Sequence, residues 1–145
     1  MKYLLLLSVL LSAQKECNTK GDLPFIRATS QNWSGGAAGT HGTYYKIYFL
    51  KQETTDMQFD SLWVNDKRLP VSQIKSNTPM DTILIMANDY QGIRNPMNQT
   101  DVSNSVPSKF PIETNAAGVL GYFNQGTRKY FLIQQWQTLK SVSYP

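Results

Sequence analysis

The chain is poor in the residues that most site chemistry uses. Its 145 residues include one cysteine and one histidine. A lone Cys17 rules out an intramolecular disulfide and with it the disulfide-stapled miniproteins. One histidine and one cysteine cannot assemble a structural zinc site or a blue-copper site from the usual ligands. Ser–His–Asp catalysis would have to use His41, which lies among glycines, and no Gly-x-Ser-x-Gly elbow occurs. A Cys–His pair would need Cys17, which lies in a polar segment near the N-terminus. Charged residues make up 17% of the chain, and basic exceed acidic residues by 14 to 10. There is no internal repeat, no collagen-like period and no heptad pattern. No cofactor motif is found.

Long apolar runs are equally scarce, and the one present is at the start. Lys2 is followed by Leu4-Leu5-Leu6-Leu7-Ser8-Val9-Leu10-Leu11-Ser12-Ala13, which has the form of a secretory signal peptide and is too short to span a bilayer. Cleavage after Ala13 makes Gln14 the new terminus and, with Lys2 removed, lowers the net charge from +4 to +3. The expected organisation is a signal peptide at 1–13, a polar tether at 14–22 and a single domain at 23–145. The expected location is outside the cytoplasm, in the periplasm, at the outer membrane or beyond the cell. Cys17 is the lipidation candidate. Acylated there, the chain would be held to a membrane by lipid; otherwise Cys17 is a free thiol in the tether. No transmembrane span is expected in the mature chain.

The body is patterned for β structure. Residues 43–52 are rich in aromatic and β-branched side chains, and alternation sends Tyr45, Ile47 and Phe49 to one face and Tyr44, Lys46 and Tyr48 to the other. Residues 57–64 form a second strand, and Asn65-Asp66 turns into a strand over 68–74 that Pro70 places at a sheet edge. Residues 82–87 form a short apolar strand. A hairpin runs from 119–123 through Asn124-Gln125-Gly126-Thr127 to 128–136, whose apolar residues fall on both parities, as in a central strand covered on two sides. About seven short strands predict an all-β fold: an antiparallel β-sandwich, immunoglobulin-like in outline, with a small β-barrel as the alternative. The glycine-rich stretch 34–42 and the polar stretch 88–115 are both expected to be mobile loops.

Several apparent motifs dissolve on inspection. The glycine run is followed by Thr43-Tyr44-Tyr45 rather than by Gly-Lys-Ser/Thr and a helix, so it is no phosphate cradle. Asp101-Val102-Ser103-Asn104-Ser105 matches a metal-dependent adhesion pattern, but no buried parallel strand precedes it. Glu53, Asp56, Asp60, Asp66, Asp81, Asp89, Asp101 and Glu113 are scattered, mostly near turns, where Asp is favoured for backbone reasons. Basic residues among aromatics, Tyr44-Lys46-Tyr48 and Arg128-Tyr130, fit single-strand nucleic-acid binding in type. An exported chain of modest charge is not expected to meet nucleic acid, and such a face suits a protein or a glycan better.

The leader, Asp22-Leu23-Pro24-Phe25, the Trp33-Ser34-Gly35-Gly36 turn and Phe59-Asp60-Ser61-Leu62-Trp63-Val64 together resemble small exported proteins of Bacteroidota, often lipoproteins. That resemblance implies export and brings no activity or site. Two function classes remain. One is a non-catalytic binding or scaffolding module that holds an envelope protein or glycan on a strand face, with Tyr44, Lys46 and Tyr48 as the candidate, or on the long polar stretch. The other is a hydrolase with an unrecognised carboxylate site.

Overall fold

The structure, a computed structural model, describes residues 23–36, 39–50, 57–75, 82–93 and 101–145. The expected signal peptide and tether, and Cys17, lie outside the described residues. Alternating sequence gives eleven strands there: β1 (Phe25–Gly35), β2 (His41–Leu50), β3 (Met57–Val64), β4 (Lys67–Pro70), β5 (Ser72–Lys75), β6 (Thr82–Ile93), β7 (Asp101–Ser103), β8 (Val106–Pro107), β9 (Gly118–Asn124), β10 (Thr127–Ile133) and β11 (Gln137–Tyr144). They form two sheets. Sheet A has the order β11-β1-β2-β6-β5, with β7 also on β6; sheet B has the order β10-β9-β3-β4-β8. Neither sheet closes on itself, so the molecule is an all-β sandwich and not a barrel. The β1–β11 pair is parallel, and the other pairs among the described strands are antiparallel.

Two tight turns fix the register of sheet B. Asn65 and Asp66 take φ of 49° and 56°, and Gln125 and Gly126 take 48° and 75°. Successive left-handed residues make the two-residue turn whose twist matches that of the strands it joins. The core lies between the inner faces. Ile47, Phe49 and Ile85 of sheet A meet Leu62, Leu69, Leu120 and Ile133 of sheet B, all at most 1% exposed. Phe49 packs against Phe59 and Phe131 at ring separations of 5.9 and 5.2 Å.

Four expectations need correction. The strand expected over 68–74 is two strands in different sheets, β4 and β5, separated at Val71. Pro70, with no N–H to give, ends the first ladder and lets the chain cross the core. β5 is an edge strand, whereas β4 lies between β3 and β8. The second arm of the terminal hairpin, expected to be central, is the edge of sheet B and ends at Ile133. Its apolar parities have different partners: Phe131 and Ile133 join the core, while Tyr130 meets Trp63 on the outer face at 6.1 Å. The glycine-rich stretch is strand at both ends, because Trp33 pairs with Gly42 and Ser34 with His41. The polar stretch from 88 is also partly strand, since β6 continues to Ile93 and β7 and β8 follow.

Candidate functional site

The outer face of sheet A carries the residues singled out from the sequence. Tyr45, Ile47 and Phe49 are buried, and Tyr44, Lys46 and Tyr48 are half-buried on the opposite face, as alternation requires. Register sets Gln31 beside Tyr44, Thr29 beside Lys46 and Arg27 beside Tyr48. The Arg27 guanidinium sits 4.5 Å from the centre of the Tyr48 ring. Tyr44 stacks on Trp33 at 5.5 Å, Tyr90 stacks on it at 5.9 Å, and Tyr144 meets its edge at 6.5 Å. The indole N–H of Trp33 donates to Asn88 Oδ1 at 3.0 Å. The outward positions of β1, β2 and β6 include Arg27 and Lys46 but no acid.

The inner face of the same strands changes character towards one end. Ala28, Ile47 and Ile85 form one buried rung, and Ser30, Tyr45 and Ala87 the next. On the rung after that the side chains become Asn32, Thr43 and Asp89, then Ser34, His41 and Gln91. Sheet B turns back at Asn65-Asp66 and leaves these rungs uncovered, so they border an open cleft of about 320 Å³. Thr43 Oγ1 donates to Asn32 Oδ1 at 2.9 Å. His41 donates from Nδ1 to the Gly39 carbonyl at 2.9 Å, and its Nε2 lies 3.1 Å from Gln91 Oε1.

Asp89 is the cleft's carboxylate. Lys67 Nζ, from the hairpin of sheet B, donates to its Oδ2 at 2.8 Å. Its Oδ1 is shielded from solvent and has no hydrogen-bond partner. Nearby, burial pushes the Tyr45 hydroxyl above the usual tyrosine range, and the Asp89 charge adds to the rise, against hydrogen bonds with Thr43 and Asn65. Asn65 Nδ2 donates to Tyr45 Oη at 3.4 Å.

A second cluster lies on the outer face of sheet B. The β-bulge between Phe59 and Ser61 turns Asp60 outward, where Arg128 reaches its Oδ2 at 2.9 Å and Arg68 at 3.8 Å. Arg128 lies over Trp63, Phe123 and Tyr130, at 5.7, 4.8 and 5.3 Å from the ring centres. Gly121 leaves the room beneath: an added Cβ would meet both Trp63 and Arg128. Burial opposes the charge of Arg128, yet hydrogen bonds with Asp60 and Tyr130 hold its pKa above the usual value. Of this cluster, the sequence singles out the Arg128-Tyr130 pair as basic next to aromatic, and Asp60 only among its scattered acids. Trp63 and Asp60 join it through sheet pairing.

Of the remaining sequence candidates, Glu53, Asp56 and Asp81 lie outside the described residues, and the others stay apart. Asp60 and Asp89 belong to different sheets and faces, Asp66 is in a turn, and Glu113 lies in the stretch before β9. Asp101-Val102-Ser103 is the short antiparallel strand β7, and Asn104 is held by its neighbours, accepting from the Tyr90 N–H and donating to the Asn88 carbonyl. Among the described residues no three His, Cys, Asp or Glu side chains gather as a metal site would need, and no helix is long and apolar enough to cross a membrane. Compared with family models, curated proteins and solved structures, the chain matches none.

Proposed function

We propose that the chain is a non-catalytic binding module of the cell envelope that holds an acidic surface, in the first instance an acidic glycan, against the outer face of sheet A. The observation that carries this reading is the make-up of that face: Tyr44, Lys46 and Tyr48 with Arg27 beside them, half-exposed and with no acid in the outward positions of the three strands. Tyrosine offers contact area with little rotamer entropy to lose, and fixed positive charge favours an acidic partner over a neutral one. The leader, Cys17 and the resemblance to exported Bacteroidota proteins support placing it at the envelope, freely exported or lipid-anchored.

The test uses a soluble polyuronate as the acidic probe and dextran as the neutral one. Binding of the polyuronate should weaken as salt rises. Lys46→Glu and Tyr48→Ala should abolish it while leaving circular dichroism and melting unchanged. Equal binding by these variants would refute the assignment of the face. Release of new reducing ends from either polymer, lost on substitution of Asp60 or Asp89, would favour the hydrolase reading instead.

A further inference from the structure

We propose that the cleft at the end of sheet A is a separate binding site for a small neutral polyol, of the chemical class of a single sugar ring. The cleft opens on the rungs of Thr43 and His41 and takes Trp33 and Gly42 from the rung between them, whereas Tyr44, Lys46 and Tyr48 do not line it. Its volume of about 320 Å³ is at the small end for ligand pockets, which suits one ring better than a polymer.

The lining selects the chemistry. Asn32, Thr43, His41 and Gln91 supply amide, hydroxyl and imidazole groups on two adjacent rungs, beside Trp33 and Gly42. The one carboxylate of the cleft is matched by Lys67 at 2.8 Å, so a neutral guest leaves no charge unbalanced, whereas a charged one would be desolvated without a counter-charge. The carboxylate keeps one oxygen with no donor. An unpartnered oxygen of this kind is uncommon in buried positions and unfavourable. Asp89 lines the cleft, so a guest seated beside it can offer the carboxylate the donor that it lacks. A hydroxyl both donates and accepts, so neighbouring hydroxyls on one ring can give a proton to Asp89 and take one from an amide. Neither a purely apolar ligand nor an anion can do both.

The experiment is an amide-proton NMR titration of the whole chain with galactose, mannose and N-acetylglucosamine, and with glucuronate as the charged comparator. At least one neutral sugar should saturate shifts at residues 41–43 and 89–91 at millimolar concentration, ahead of glucuronate. Gln91→Ala and Asn32→Ala, both at exposed positions, should each weaken binding by about three- to tenfold, the usual worth of one hydrogen bond. Lys46→Glu should leave this titration unchanged while removing polyuronate binding, so the two proposals fail separately. The inference is overturned if no neutral sugar saturates these signals, if glucuronate binds first, or if both alanine variants titrate like the parent chain.

Discussion

Gly42→Ala is the sharpest test of how the aromatic face and the cleft share one rung of sheet A. Gly42 pairs with Trp33 on one side and Tyr90 on the other. An added Cβ would overlap the Asp89 carbonyl oxygen and stand 2.8 Å from Trp33 Nε1 and 2.9 Å from Trp33 Cε2. The carbonyl belongs to the backbone and cannot swing aside, so the indole and the β2–β6 ladder must both shift. Overpacking of this kind costs about 1–3 kcal/mol, and losing the Trp33–Asn88 hydrogen bond adds about 1 kcal/mol. The smaller entropy of the unfolded alanine chain returns roughly 0.4–1 kcal/mol. The net expectation is a loss of about 1–3.5 kcal/mol, read from urea denaturation by circular dichroism. Gly126 is the control. Nothing lies within 4 Å of its added Cβ, but its φ is 75°. Alanine there should cost about 1 kcal/mol through backbone conformation, and asparagine, which tolerates that region, should restore most of it. At Gly42 asparagine should be no better than alanine. A Gly42→Ala chain within about 0.5 kcal/mol of the parent, the range of ordinary surface changes, would refute the close-packing argument.

Three further outcomes follow from other layers of the structure. Leu120→Ala, at a side chain with no exposure, should cost about 2–5 kcal/mol in the same denaturation assay. Arg128→Lys keeps the charge but loses the planar group over Trp63, Phe123 and Tyr130, and should lower stability by about 1 kcal/mol, detectable as a reduced melting temperature. Because the Tyr45 pKa is raised on folding, the unfolded chain loses that proton first. Stability should therefore be intact below about pH 10, the unperturbed tyrosine value, and fall as pH rises beyond it; Tyr45→Phe should flatten that fall in melting curves across the alkaline range.

How far the fold is legible depends on how local its causes are. Residues 57–64 and 119–123 announce themselves because alternation and adjacent Asn65-Asp66 and Gln125-Gly126 turns are short-range signals. The division at Val71 is not local. One β-patterned stretch reads the same whether it stays in one sheet or passes to another, and only packing against β6 separates β5 from β4. The apolar parities of β10 misled for a related reason. Two-sided hydrophobicity marks a central strand when a second layer exists, but here one side is covered by aromatic and arginine side chains of its own sheet.

The two proposed sites differ in legibility on the same ground. Tyr44, Lys46 and Tyr48 are spaced by two in one strand, so their common face follows from the pleat alone. The cleft has no such signature: Asn32, His41 and Thr43, Asp89 and Gln91 come from three strands and meet through the β1–β2 and β2–β6 registers. A one-residue slip of β6 would turn Asp89 outward and Tyr90 inward, exchanging a half-buried carboxylate for a ring on the polar rung. What guards against that slip is the core itself, since the same shift would expose Ile83, Ile85 and Ala87, all at most 4% exposed. The apolar rungs at the middle of sheet A therefore fix the polar rungs at its end. A cavity placed in the middle, as by Ile85→Ala, should loosen the cleft as well as lower stability. Amide exchange at residues 89–91 should then quicken more than exchange in β9, which belongs to the other sheet. Equal acceleration in both sheets would show that the sandwich opens as one unit and that the register of sheet A has no separate role in holding the cleft.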